Sequence, residues 1–457
     1  MNCMSIRPAT THALLGPEFY DPVEAASFPS HILRHRDQRW AARIGLDGLS
    51  DAEWIEHMGR FVPLAGSFPE PLALRYHGHQ FRNYNPDLGD GRGFLFAQMH
   101  DLVDGRLLDL GTKGSGRTPW SRGGDGRLTL KGGVREILAS SMLEALGVYT
   151  SKSLSLVETG EALERGDEPS PTRGAVLVRL SHSHIRIGSF QRLAALQKPD
   201  EMRRLLDHVI RFYMPELWDE DVAARAVRFL REVAGRVARL GAQWMAAGFV
   251  HGVLNTDNIN VTGESFDYGP WRFLPRYEPE FTAAYFDHSG LYAYGRQPDT
   301  LVWNLVRLAE CLLPLAPKED LQSGIEVFSD TFQPALDAAV VRRLGLVSGG
   351  AEQDRALSTA WWTWLDATKV PFEQAFFDIR AGRAPKDTAF APVQDVLDAY
   401  ARAPGTHPYF QGDRACTMLI DEVEALWAPI AERDDWGPLA AKLAEIEVMR
   451  VAYEGTP

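Results

Sequence analysis

Apolar positions recur at steps of three and four from Val222 to Trp244, through Ala226, Phe229, Leu230, Val233, Val237 and Leu240. Arginine and glutamate take the opposite face, so the segment predicts a long amphipathic helix that delivers His251 just past its end. Upstream the period changes. Phe94–Met99 and Leu107–Thr112 read as two strands of a hairpin around Asp104-Gly105, which puts Lys113 at a strand end. Gly133–Leu146 reads as a helix with Glu136 in its first turn and Gly147 at its C-terminal cap. Ala175–Leu180 reads as a buried strand interrupted by Arg179. Beyond Asp267 the pattern is mostly helical, with segments at Thr300–Leu313, Thr359–Thr368, Val393–Arg402 and Thr417–Glu432. Loops at Leu346–Ala351 and Ala403–His407 punctuate them, and none of these segments carries recognisable chemistry. Strands followed by a helical remainder predict an α+β chain.

At 457 residues and 45% hydrophobic, the chain is long enough for two packed lobes or domains. A net charge of −13 argues against a general nucleic-acid or anionic-membrane surface, so any polyanion must bind locally. Cys3, Cys311 and Cys416 are too few and too scattered for a disulfide framework or a CxxC-type metal site. The first residues lack a charged start followed by an apolar stretch, and no run approaches the ~18 apolar residues of a membrane span. A reducing cytoplasm is the expected compartment.

The acidic balance reverses between Gly111 and Arg135, where Lys113, Arg117, Arg122, Arg127, Lys131 and Arg135 face only Asp125. Eight glycines in the same stretch let backbone N–H groups turn toward an anion. Composition alone leaves a solvated basic loop equally open; the strand before it and the helix after it favour a polyphosphate site. A strand lysine followed by a helical glutamate is also the order of the ion pair that holds a lysine against nucleotide phosphates, although a surface pair reads the same way in isolation. Arg179 and Arg186 add two more bases, and no acid occurs from Arg173 to Phe190. A charge in an apolar strand costs several kcal/mol unless paired or liganded. His77 with His79, and His182 with His184, have strand spacing that could present two imidazoles to a metal. Neither pair has acidic or thiol ligands nearby in sequence, which favours hydrogen-bonding roles.

His251, Asn258 and Asp267-Tyr268-Gly269 keep the order of a phosphotransferase catalytic loop and metal-binding motif. Two positions after the histidine, where a kinase has its proton-accepting Asp, stands Val253. Ordinary phosphate transfer is therefore doubtful, while the ligands for a metal ion are retained.

Five segments together resemble the selenoprotein O (YdiU) family of pseudokinases: YHGHQFRNYNPDLGDGR (Tyr76–Arg92), KGSGRTPWSRGGDGR (Lys113–Arg127), VREILASSMLEALGV (Val134–Val148), RLSHSHIRIGSF (Arg179–Phe190) and HGVLNTDNINVTGESFDYGP (His251–Pro270). The resemblance runs from about Tyr76 to Leu312 and is thin afterwards, with VVRRLGL (Val340–Leu346) the one alignable segment. It implies a protein-kinase-like bilobal fold: an N-terminal extension over 1–65, a mixed N-lobe with sheet and helix over 66–192, and a mainly helical C-lobe over 193–457. It also implies that ATP binds reversed and that AMP, not phosphate, passes to Ser, Thr or Tyr hydroxyls of proteins, the enzyme itself among them. Reversal explains Val253, since the base need not stand there.

By the same resemblance Gly89, Gly91 and Arg92 contact nucleotide, and Lys113, Asp125 and Gly126 line its pocket. Arg179 and Arg186 hold the terminal phosphate, and Glu136 pairs with Lys113. Asn258 and Asp267 coordinate Mg2+ or Mn2+, Asp267 also touches the nucleotide, and Asp257 accepts the proton. Conventional phosphorylation and a silent ATP-binding scaffold are the alternatives. Family members carry a C-terminal selenocysteine or cysteine that can pair with a cysteine after the DYG motif; Ala283 stands at that second position here, so no such redox clamp is expected. An acid poised for a divalent ion repels its neighbours when the metal is absent, so Asp267→Ala is expected to spare the fold.

Overall fold

A computed structural model of the chain describes residues 6–166, 168–386, 388–401 and 405–454. Among these, one antiparallel sheet gathers β1 (Pro8–Ala9), β2 (Tyr20–Pro22), β3 (Ile32–Arg36) and β4 (Leu72–Leu74). A separate two-stranded hairpin follows, β5 (Gly78–Gln80) with β6 (Asn83–Asn85). The sheet resumes with β7 (Leu95–His100), β8 (Leu107–Lys113), β9 (Leu128–Thr129), β10 (Lys152–Leu163) and β11 (Thr172–Ser181). Its main order is β2-β4-β7-β8-β11-β10-β3, so β8 and β11, which carry Lys113 and Arg179, are central neighbours. The anticipated hairpin is β7–β8, with Lys113 the last residue of β8.

The central strands β8 and β11 are mostly apolar because helices cover both faces, with Asp109, Lys113 and Arg179 the charged exceptions within the buried stretch. Leu107, Leu128, Leu156, Ala175 and Leu177 pack with Val134, Ile137, Leu138 and Met142 of the helix α3 (Leu130–Ala145), which follows α1 (Gln38–Arg43) and α2 (Asp51–Met58) in the chain. Leu108, Leu110, Leu154, Val176, Val178 and Leu180 face the other way, onto Trp40 and Ile44 beside α1 and Trp54 and Met58 of α2. Within β8 and β11 this alternation is the period of two expected of a strand, whereas in β10, which has a register shift between Ser153 and Ser155, Leu154 and Leu156 lie in different clusters. The alternation places Lys113 and Arg179 on the α3 side.

Helix α3 starts three residues before the expected Gly133, because the Thr129 side chain accepts from Gly132 N at 3.1 Å and caps it there. Glu136 consequently lies in the second turn rather than the first. Gly147, with φ of +78°, follows the last turn as anticipated.

The remainder is helical: α4 (Ile187–Ala195), α5 (Pro199–Tyr213), α6 (Val222–Ala246), α7 (Gln297–Leu312), α8 (Lys318–Arg343), α9 (Ala351–Thr368), α10 (Phe372–Arg380), α11 (Ala391–Leu397), α12 (Ile420–Arg433) and α13 (Gly437–Glu454). A short ladder, β12 (Phe249–Val250) with β13 (Arg272–Phe273), brackets the segment from His251 to Trp271. Helix α6 matches its apolar stripe and is capped by Asp221, whose carboxylate accepts from Ala223 and Ala224 N–H. Helix α8, against α6, was not anticipated; Pro334 lies inside it, and proline normally signals a helix end. Helix α9 begins at Ala351, eight residues before Thr359, since its first two turns are mostly polar. Helix α11 covers Ala391–Leu397 in place of Val393–Arg402, whose last residue lies outside the described residues, as does part of the expected loop after it. Helices α12 and α13 fold back onto the sheet and α3, with Lys131 Nζ 2.7 Å from Glu424 and Arg173 joined to Asp434 at 2.7 Å.

Candidate functional site

Antiparallel pairing sets Lys113 opposite Leu177 and Arg179 opposite Gly111, so two cations stand diagonally on one face. A side chain at Gly111 would put its Cβ 2.5 Å from His184 Cε1, which is why glycine stands between them. Lys113 Nζ donates to Glu136 Oε1 at 2.5 Å and to Asp267 Oδ1 at 2.7 Å. Arg179 Nη1 donates to the same Asp267 oxygen at 3.2 Å. The strand arginine is therefore paired, with an acid 88 positions away along the chain.

Asp267 has φ of +66°, a conformation sparsely used outside glycine, and its neighbours Phe266 and Tyr268 are buried in the core. Burial opposes its ionisation, but Lys113, Arg179 and Arg92 outweigh that and hold the carboxyl well below the usual range. It is the counter-ion of a basic cluster. The premise that Asp267 repels its neighbours without a metal does not hold, because they are cations; removing it strands Arg179, so a loss of stability is expected in place of a spared fold.

Arg186 is buried, with its guanidinium between the rings of Tyr76 at 4.2 Å and Phe266 at 5.0 Å. Its Nη1 donates to Asp257 O at 3.1 Å, and its Nη2 lies 3.5 Å from Asp90. Burial pushes the Asp257 carboxyl up to about 6, with Arg186 acting against the shift, and Asp257 Oδ1 has no hydrogen-bond partner among the described residues. An orphaned carboxylate oxygen of this kind can accept a proton at neutral pH.

The His251 Nε2 meets Phe266 O at 3.0 Å, tying the start of the His251–Asn258 segment to the Asp267-Tyr268-Gly269 segment. Asn258 donates its amide to Val253 O at 3.0 Å, which leaves its carbonyl oxygen facing outward from that bond. Asn258 and Asp267 each offer a hard oxygen donor of the kind that Mg2+ or Mn2+ takes.

The glycine-rich segments answer partly to packing. A Cβ at Gly89 would lie 2.6 Å from Trp120 Cδ2, and one at Gly91 2.8 Å from Trp120 O. Gly126 has φ of +70°. Asp125 binds Arg165 Nη1 at 2.8 Å and Arg127 N at 2.9 Å, so its carboxylate is engaged away from the Lys113 cluster. Three of the four paired histidines make ring hydrogen bonds, His77 with Tyr84 at 2.6 Å, His79 with Gln191 at 2.7 Å and His182 with Tyr149 at 2.6 Å, while His184 Nδ1 lies 3.5 Å from Asp109 Oδ2. Lys113, Glu136, Asp267, Arg179 and Arg186 with Asp257 converge, whereas Asp125 stands apart. Tyr76, Asp90, Trp120 and Phe266 were missed, although all four sit in segments already conspicuous in sequence.

The family model described as Protein adenylyltransferase SelO matches residues 3–399. The chain belongs to the SelO family. Among its relatives, the "Protein nucleotidyltransferase YdiU" of Gloeobacter violaceus is 47% identical over 450 residues, covering 93% of this chain and 92% of its own. That of Trichormus variabilis is 48% identical over 453 residues, with 93% and 92% covered. That of a Bradyrhizobium species is 36% identical over 456 residues, with 94% and 90% covered. The SelO match includes every cluster residue named above and stops before α12 and α13, while these relatives align over nearly the whole chain. Among the described residues no helix is long and apolar enough to cross a membrane.

Proposed function

We propose that this chain is a cytoplasmic protein adenylyltransferase that moves AMP from ATP onto Ser, Thr or Tyr hydroxyls, on other proteins and on itself, with Mg2+ or Mn2+. The observation that carries the reading is the displaced acid: Val253 occupies the kinase base position, and four residues on, Asp257 offers a buried, unpartnered oxygen. In this scheme the acceptor hydroxyl gives its proton to Asp257 Oδ1 as its oxygen bonds to the α-phosphorus. The bond from that phosphorus to the bridging oxygen breaks, and pyrophosphate carries the electron pair away. Lys113 is held by Glu136 to face the phosphates, and Arg179, Arg186 and Arg92 spread their charge over the leaving group, as preorganised cations should. Asn258 and Asp267 would hold the metal ion, which supplies further neutralisation of the phosphate oxygens.

The same reading takes 66–192 as a kinase-like N-lobe and the helices over 193–457 as a C-lobe, with 1–65 as an extension that adds β1, β2 and β3 to the N-lobe sheet. The family description and the relatives' names support nucleotidyl transfer. The test is incubation with ATP labelled at the α- or at the γ-phosphate. Label entering protein only from the α-phosphate is expected; incorporation only from the γ-phosphate would establish phosphorylation, and none from either a silent scaffold.

A further inference from the structure

We infer that Trp120 and Asp21 are positioning residues that hold the Gly89–Arg92 segment against the phosphate site, an inference that rests on the nucleotidyl-transfer reading. The Arg92 carbonyl accepts from the N–H of Gly114, the residue after Lys113, so this segment is anchored one position from the lysine that bonds Glu136 and Asp267. That segment is fastened to the loop after β8 along its length. Thr118 Oγ1 donates to Asp90 O and Ser121 Oγ to Gly91 O, both at 2.5 Å, and Gly114 N donates to Arg92 O at 2.6 Å. Trp120 closes the arrangement by lying on Gly89, at a distance that no side chain at that position would allow.

The indole is oriented from outside the loop. Its Nε1 donates to Asp21 Oδ2 at 2.9 Å. The same carboxylate accepts from Arg75 Nε at 2.9 Å, and Arg75 in turn bridges to Gly89. Asp21 lies in β2, an edge strand paired to β4, so one N-terminal acid governs both the ring above Gly89 and the backbone beside it. Asn at 21 would keep the shape but lose the charge that binds Arg75 and the full acceptor strength toward the indole. Phe at 120 would keep a ring on Gly89 and lose the N–H.

The test measures binding of the α,β-methylene analogue of ATP with Mg2+ by titration calorimetry, alongside KM, kcat and the thermal midpoint, for wild type, Asp21→Asn, Trp120→Phe and Trp120→Leu. Asp21→Asn and Trp120→Leu should raise the analogue Kd and the ATP KM about tenfold while kcat changes less than about twofold, as expected when a binding group is displaced by a fraction of an ångström. Trp120→Phe should fall between these and wild type. A purely structural tie would lower the midpoint and leave Kd and KM unmoved, and that result overturns the inference. Wild type that binds the analogue while Asp21→Asn binds it equally well sinks this inference alone; wild type that does not bind it sinks the nucleotide reading and this inference with it.

Discussion

Replacing Asp267 with alanine tests whether the acid is a counter-ion or merely a ligand awaiting metal. In the folded chain Lys113, Arg179, Glu136 and Asp267 form a balanced set, with Lys113 and Arg179 side chains only 6% and 7% exposed. Removing Asp267 leaves Lys113 with Glu136 at 2.5 Å but takes from Arg179 the one acid within 4.0 Å of it among the described residues. Breaking a buried pair from one side costs about 3–5 kcal/mol. The low end, about 3 kcal/mol, applies because the Asp267 side chain is 27% exposed and water can reach the vacated position. Urea denaturation of both proteins in EDTA, followed by tryptophan fluorescence, should therefore show the variant less stable by that amount. Asp267→Asn should lose nearly as much, since it keeps the shape and deletes the charge. Inorganic triphosphate, which can neutralise the stranded arginine, should return more stability to the variants than to wild type. An Asp267→Ala protein as stable as wild type in EDTA would refute the counter-ion argument.

Gly133→Ala places a methyl against Leu156 Cδ1, so α3 must move off β10; a loss of about 1–3 kcal/mol is expected. Transfer activity should fall further than that loss explains, because Glu136 shifts with the helix, and thermal melts beside initial rates would separate the two. Glu264 is buried, which lifts its carboxyl from 4.5 to about 7 against the opposing charge of Lys152. The raised folded value means wild type loses stability as pH rises from about 4.5 to about 7, by up to about 3 kcal/mol. Glu264→Gln lacks that loss, so its advantage over wild type should grow from pH 5 to pH 8, and an advantage that shrinks would contradict the assignment. Asp257→Asn should lower kcat by about 10²–10⁴ with little change in nucleotide affinity, read from single-turnover AMP transfer. Activity should be the same with and without dithiothreitol: Ala283 carries no sulfur, Cys311 and Cys416 are buried with thiols pushed up to about 12, and Cys3 lies outside the described residues.

Local signals carried a large share of the picture. The stripe of α6, the hairpin that ends in Lys113 and the glycine after α3 each depend on residues within a few turns or one strand pair, so spacing alone reveals them. The order His251, Asn258, Asp267 was equally legible, because a catalytic loop and its metal motif are short and contiguous. Helix α8 was hidden by Pro334, and the start of α3 by a threonine cap three residues ahead of the glycine pair. What sequence could not supply is which charges meet. Arg179 looked unpaired because its acid arrives 88 positions later, and Lys113 takes a second partner 154 positions away. Trp120 owes its placement to Asp21, 99 positions upstream on an edge strand of the sheet. Periodicity and capping act between near neighbours, whereas an ion pair is set by where the backbone returns. Only the packed sheet with α3 and the DYG segment against it decides that Asp267 neutralises two cations at once.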